Sequence, residues 1–518
     1  MEWPTAQLKI DTKTLARDVS SLQSTDIKVI GKIGSEFERL YFLSLPMQIE
    51  KRKVYGGRVG VFGIGLAAYW PQFPGLKQRL EGYQREVETG LEAYGIDVIS
   101  AGLVDTTPQA ATAGQKFAAS GLDLIVCYVG TYATSSQVLP VVQRAKLPVL
   151  VLNLQPTAAL DYANIDTGEW LANCSTCCVP EISNAFARAR IRFRVVSGML
   201  RDDTLAWNEI QDWCHAARVS RALRTSRIGF LGHTYPGMLD LYSDFTAVAA
   251  QTGAHVEMLE MCDLERCVRA ASEAEVAAKL RIAAEIFTIE NAPEADLDWA
   301  ARVAAGLDRL VEEFDLNGLT YYYRGLEGNL YERLGAGWIL GNSLLTARGI
   351  PASGEGDLKT CLAMLILDRF DSGGSFTEFY AMDFREDFVL MGHDGPAHLA
   401  ISAERPVLRG LGLYHGKRGH GISVEFSVKP GPVTLLAMTQ TADGSLKLLT
   451  AEGVSEPGSI MKIGNTNSRL RFPLGPREFV NRWCQEGPTH HCALGIGHKQ
   501  SAVAKLGELI GLPVTNVC

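Results

Sequence analysis

The chain has 518 residues, of which 47% are hydrophobic and 21% charged, with a formal net charge of −8. That length exceeds a single core and predicts about two to four domains, since domains usually run to roughly 100–200 residues. The composition excludes disorder, and an acidic balance without a Lys/Arg cluster excludes a nucleic-acid partner.

The N-terminal text MEWPTAQLKIDTKTLARD has no apolar stretch of signal-peptide length. The longest apolar run, near residues 361–367, falls short of the about 20 residues that a membrane span needs. Eleven cysteines without a secretion signal point to free thiols in a reducing cytoplasm. A cytoplasmic protein with no membrane partner is expected.

Residues 1–54 read as an N-terminal extension, an arm or a small helical cap. From residue 58 the text alternates in the α/β manner. RVGVF (58–62) is a short strand. Leu76, Leu80, Tyr83, Val87 and Leu91 then form a helical stripe. IDVIS (96–100), LIVCYV (124–129) and PVLVL (148–152) are continuous apolar runs, the pattern of parallel strands covered on both faces. GIGLAA (63–68) follows the first strand and fits G-x-G-x-x-A, but Tyr69-Trp70-Pro71 breaks the helix that a dinucleotide site would open there. A ligand-facing loop at the strand's end is the expectation instead. CSTCC (174–178) contains one C-x-x-C. Zinc would require a second pair or a nearby His, and a redox pair a strand–helix turn, so buried or incidental thiols are expected.

A second α/β series starts at RIGFLG (227–232). It runs through HVEMLEM and a long Ala-rich amphipathic stretch over 270–310 to LTYYY (319–323). PASGEGDLKTCLAMLILDRF (351–370) follows, with Glu355 between two glycines at the entrance to an apolar helix. Acidic residues cap helix N-termini, which is one account of it. The other is that Gly354 and Gly356 let the backbone approach something closely and Glu355 points at it. The segment alone leaves both open.

After about residue 370 helical periodicity fades. FTEFYAMDF, FVLMGH, AHLAIS, HGISVEFSV, GPVTLLAMTQ and SLKLLTAEG read as antiparallel strands, and KQSAVAKLGELIGL as a closing helix. The expected organisation is an N-terminal extension (1–54), an N-terminal α/β domain (55–195), a central α/β domain (196–368) and a C-terminal β domain with a terminal helix (369–518).

A two-residue turn at Arg385-Glu386 would pair Phe384 with Asp387 and bring Glu378 opposite His393 on one face, with Cβ atoms about 4.5–5.5 Å apart. A cross-strand salt bridge on a wet face would use the same pair. The company argues for more: Asp394, Gly395 and His398 are close, and THHC adds His490 and His491. In a strand those two histidines point to opposite faces, so at most one joins a shared site. Two carboxylates with two imidazoles suit a divalent ion such as Mn²⁺ or Co²⁺, with zinc as an alternative.

These residues resemble a known family, the L-arabinose isomerases, with the L-fucose isomerases more distant. GEGDLKT is similar to the family's E-G-D-W-K-T segment. GGSFTEFYAMDF…VLMGH is similar to its G-T-S-F-M-E-D-Y…L-G-x-H segment, and EGPTHHCAL to its G-G-A-H-H-T segment. Weaker likeness reaches back to about residue 55. The resemblance implies two Rossmann-like, doubly wound α/β domains followed by an antiparallel β-barrel-like domain. It implies metal ligands Glu355, Glu378, His393 and His491, with Glu355 and Glu378 also the acid/base pair. It further implies Mn²⁺ as the ion, with Co²⁺ or Mg²⁺ as alternatives, a small sugar substrate isomerised through an ene-diolate, and a homo-oligomer, trimer or hexamer. The chain departs from the pattern at Leu358, where the family has Trp, in GIGLAAYW, which replaces a sugar-contacting G-S-Q-x-L-Y-G loop, and in the extra residues 1–54. Those departures keep two alternatives in view: a metal-dependent epimerase or lyase on a modified or acidic sugar, and a non-catalytic cytoplasmic sugar-binding protein.

Overall fold

The first sheet is parallel and carries five strands in the order β2-β1-β3-β4-β5. These are β1 (Arg58–Ile64), β2 (Asp97–Val104), β3 (Leu124–Tyr128), β4 (Val149–Gln155) and β5 (Phe193–Met199). The structure is a computed structural model and describes residues 56–323, 329–394, 396–411 and 420–518, so the expected extension over 1–54 lies outside the described residues. Every residue of β3 is buried. Val59 and Val61 face one apolar core while Phe62 and Ile64 face another, so helices cover both sides of the sheet, as continuous apolar strands require. The helix Leu76–Ala93 buries the stripe expected of it, Leu76, Leu80, Tyr83, Val87 and Leu91. Before it, β1 runs into a single 3₁₀ turn, Ala67–Tyr69.

The second sheet is also parallel, in the order β10-β9-β6-β7, from β6 (Arg227–Gly232), β7 (His255–Leu259), β9 (Gly318–Tyr322) and β10 (Ala352–Ser353). The Ala-rich stretch holds two helices, Glu273–Ile286 and Glu294–Glu313. Between them lies β8 (Thr288–Glu290), and Pro293 caps the second helix. β8 joins a small sheet with β13 (Val407–Leu411) and β14 (Gly421–Glu425).

The C-terminal strands are β11 (Gly373–Asp383), β12 (Phe388–His393), β15 (Gly431–Gln440), β16 (Leu446–Glu456), β17 (Thr466–Arg471) and β18 (His491–Ile496), with β19 (Val514–Asn516) added in parallel on β16. The order β15-β18-β11-β12-β17-β16 is antiparallel throughout, and β15 pairs again with β16, so six strands close into a barrel. AHLAIS is a 3₁₀ turn at Leu399–Ile401 and not the strand expected. The closing helix forms over Gln500–Ile510, and a further helix that was not expected, Gly475–Gln485, precedes β18.

The helix Leu358–Arg369 positions the site. All its residues are buried, because it packs against β9 and β10 of the second sheet and against β11, β15 and β18 of the barrel. Such burial requires its apolar residues to be covered on every side and its polar ones to be paired, as Lys359 and Arg369 are. Its N-terminus therefore opens where the second sheet meets the barrel.

Candidate active site

The loop from β10 to that helix bends sharply. Glu355 has φ 62° and Gly356 φ 72°, both left-handed. A non-glycine residue held there stores on the order of 1–3 kcal/mol of strain. A Cβ on Gly356 would lie 2.6 Å from Thr234 Cα and 2.7 Å from His233 O, so only glycine fits. The bend is pinned on both sides: Tyr235 N donates to Glu355 O at 2.9 Å, and Gly356 N to Tyr321 O at 3.0 Å.

Capping belongs to the next residue. Asp357 accepts from Thr360 N at 2.9 Å and from Thr360 Oγ1 at 2.7 Å. Glu355 is left out of the cap, and its Oε2 has no hydrogen-bond partner. The cap of this acidic stretch is thus Asp357 and not Glu355.

The barrel supplies the other residues. Near the turn the hairpin has the expected register, with Asp383 opposite Phe388. The connection is longer than two residues, however, and a bulge at Tyr380 shifts the pairing by one. Glu378 therefore stands opposite Gly392 and not His393, although His393 Nε2 still lies 4.0 Å from Glu378 Oε1. The direct cross-strand partner of Glu378 is His491, on β18.

His491 is fully buried, with Nδ1 3.1 Å from Asp357 Oδ2. A carboxylate can only accept, so Nδ1 carries a proton and Nε2 is the nitrogen turned toward Glu355. That Nε2 has no hydrogen-bond partner and sits 3.6 Å from Glu355 Oε2. His393 is oriented by Asp394, with Nδ1 3.2 Å from Oδ1. Phe376 packs against both imidazoles, with ring centroids 4.5 Å from His393 and 4.2 Å from His491.

His490 and His491 do not diverge. β18 begins only at His491, so the alternation of a strand does not apply across the pair, and the two rings lie 3.8 Å apart. His490 Nδ1 meets Asp240 Oδ2 at 2.7 Å, and its Nε2 is 3.6 Å from Glu355 Oε2. Burial would lower its pKa, but Glu355 and Asp240 outweigh burial and raise it to about 9. Burial raises Glu378 above the usual carboxylate range, with Glu355 and Asp394 adding to the effect and the nearby histidines opposing it.

The structure thus brings Glu355, Glu378, His393 and His491 together and adds His490. Ligand atoms of Glu355, His393 and His491 lie within 4.8 Å of one another, as do those of Glu378, His490 and His491. Two unpartnered donor atoms, an imidazole locked by a carboxylate on its other nitrogen, and a mixed O/N set fit a divalent ion. His398 stays outside the group. It is buried, with Nε2 3.3 Å from Asp368 Oδ1.

Three residues of the site escaped sequence reasoning. Asp357 was legible as a cap but not as the partner of His491. Asp240, in the turn Leu239–Leu241, carried no local signal. Lys359 did carry one, a lysine in an apolar helix. It is buried, and its Nζ donates to Leu241 O (3.2 Å), Tyr242 O (3.1 Å) and Ser243 Oγ (2.9 Å), tying down the turn that holds Asp240.

Residues 373–513 match the L-arabinose isomerase C-terminal domain. L-arabinose isomerase of Shigella dysenteriae serotype 1 is 23% identical over 405 residues, 76% of this chain and 80% of that protein. L-arabinose isomerase of Shewanella baltica is 24% identical over 399 residues, 75% of this chain and 79% of that protein. Sulfoquinovose isomerase of Alkalicoccus urumqiensis is 22% identical over 304 residues, 57% of this chain and 66% of that protein. The chain is an enzyme of the isomerase class, an intramolecular oxidoreductase. Within that class the likeness is to the arabinose isomerases, through the C-terminal domain over residues 373–513 and through relatives that match about three quarters of the chain.

Proposed function

We propose that this protein is an aldose–ketose isomerase acting on a small sugar at a divalent metal held by Glu355, Glu378, His393 and His491. The observation that carries the reading is the pair of buried, unpartnered atoms, Glu355 Oε2 and His491 Nε2, 3.6 Å apart. When bound, the ion would supply Lewis-acid polarisation of the sugar carbonyl; Mn²⁺ is the first choice, with Co²⁺ or Mg²⁺ as alternatives. One glutamate removes the proton from the carbon beside the carbonyl. The other moves a proton between the two neighbouring oxygens, through an ene-diolate. Asp357 keeps His491 in one tautomer, and Phe376 packs against the His393 and His491 rings. Domains over 55–195, 196–368 and 369–518, each built mainly round one of the large sheets, a trimeric or hexameric assembly and a cytoplasmic location complete the proposal. No helix among the described residues is long and apolar enough to cross a membrane.

The test is a panel of aldoses and ketoses, including L-arabinose and sulfoquinovose, assayed with chelated protein and with added Mn²⁺. Metal-dependent interconversion of one aldose–ketose pair, with solvent deuterium entering the product in D₂O, is expected. Equal activity with and without chelation would remove the metal from the reading. A second reading, isomerisation of an acidic sugar, is favoured by the sulfoquinovose isomerase relative. The same panel separates the two.

A further inference from the structure

The segment from β4 to the helix Val179–Arg188 places two sulfurs in contact. Cys174 Sγ and Cys177 Sγ are 2.8 Å apart. Cys174 is buried and Cys177 exposed. Cys177 sits in a 3₁₀ turn, Thr176–Cys178, that runs without a break into the helix. The C-x-x-C thus stands between the short helix Thr167–Leu171 and the helix Val179–Arg188.

The frame around the pair is fixed. Thr131 Oγ1 donates to Leu171 O at 2.7 Å, Cys178 Sγ bonds to Thr131 O at 3.5 Å, and Thr176 Oγ1 bonds to Asn153 Oδ1 on β4 at 3.3 Å. Closing a short loop between two sulfurs already held together requires little further ordering. Burial, with the bond to Cys177, pushes the Cys174 thiol up to about 12, and burial pushes Cys178 up to about 12. By exposure, Cys177 is the sulfur that solvent reaches, and Cys174 its concealed partner. The other exposed cysteines, Cys262 and Cys484, have no sulfur–sulfur contact among the described residues.

We propose that Cys174 and Cys177 form a reversible dithiol–disulfide site oxidised by low-molecular-weight disulfides such as oxidised glutathione. The Cys177 thiolate attacks one sulfur of the small disulfide. That S–S bond breaks, a mixed disulfide forms on Cys177, and one thiolate leaves and takes up a proton. Cys174 then gives up its proton and attacks Cys177 Sγ, and the second thiolate departs and is protonated. Two protein thiols are oxidised by two electrons, and one small disulfide is reduced to two thiols.

The test treats the native full-length protein with oxidised glutathione, quenches with an alkylating agent and maps the peptides by mass. The expected result is a peptide holding Cys174 and Cys177 that is lighter by two hydrogens and is restored by dithiothreitol. Cys177 should react about tenfold or more faster than Cys262 or Cys484. Cys174→Ser should trap glutathione on Cys177, and Cys177→Ser should leave Cys174 unmodified. Cys178→Ser should change neither result. The proposal is overturned if the native protein forms no 174–177 bridge, bridges through Cys178 instead, or takes glutathione at Cys262 or Cys484 as fast as at Cys177. Should Cys174→Ser not fold, the bridge and the relative rates in the unsubstituted protein decide the matter alone.

Discussion

The proposed site is built by two regions that work in opposite ways. The strands β11, β12 and β18 bring Glu378, His393 and His491 together through hydrogen-bonded register, with none of the three at a positive φ. The loop that carries Glu355 does it with two consecutive left-handed residues, one of them not glycine. The strands are held by their ladder, which at Gly392 leaves no room for a side chain. The loop keeps a strained carboxylate in place only because Tyr235, Tyr321 and the helix cap at Asp357 fix its neighbours. Strain of this kind persists where the surroundings over-determine it, and it concentrates at functional sites.

Removing the two carboxylates breaks both regions and should have the largest effect. Glu355→Gln and Glu378→Gln should each lower turnover by on the order of 10²–10⁴ with added Mn²⁺. Substantial activity in both variants, with no solvent exchange in D₂O, would reduce these glutamates to holding the ion.

Asp357→Asn sharpens the contrast, because asparagine caps a helix about as well as aspartate. Thermal stability should change little, while metal affinity measured by titration should fall by about 10–100-fold, since His491 loses the carboxylate that fixes its tautomer. An unchanged affinity would leave Asp357 as a cap alone.

The loop's backbone can be tested in both directions. Gly356→Ala meets Thr234 Cα and a left-handed φ, and should cost about 1–3 kcal/mol in urea unfolding. Glu355→Gly relaxes the strain and should stabilise by up to about 1 kcal/mol while abolishing turnover. A destabilised Glu355→Gly would show that the side chain holds the fold as well as the site.

Among the histidines, His491→Ala should weaken metal binding more than His490→Ala. His491 is buried and its Nε2 is unpartnered, whereas His490 is partly exposed and paired with Asp240. Since the two rings touch, the gap should be smaller than opposite strand faces would give; equal losses in calorimetric titration would assign His490 to the ion as well. The smallest effect should follow Lys359→Met, which frees the turn carrying Asp240. It should raise KM by a few-fold and leave kcat nearly unchanged, if Asp240 and His490 serve ground-state binding. A fall in kcat alone would contradict that.

Local pattern was enough for much of this molecule. Continuous apolar runs such as β3 and β4 announced strands covered on both faces, because burial on both sides leaves no polar alternation. The stripe of the helix Leu76–Ala93 and the hairpin pairing of Asp383 with Phe388 were also readable, since each depends on near neighbours in the chain. The four proposed ligands stood out by residue type and by family resemblance. Elements that depend on distant partners were not readable: β8 inside an Ala-rich stretch, polar β17, and the helix Gly475–Gln485. The bulge at Tyr380 is one such feature, because it matches β11 to both β12 and β18 at once. So is the pairing of Glu378 with His491, which requires the barrel to close, and so is the double duty of Asp357, which appears only when β18 lies against the helix Leu358–Arg369. Composition and periodicity determine which segments become strands and helices, because those depend on contacts within a few residues. Which nitrogen of His491 carries the proton, and which carboxylate it faces, is decided by packing between segments far apart in the chain, where no local pattern reaches.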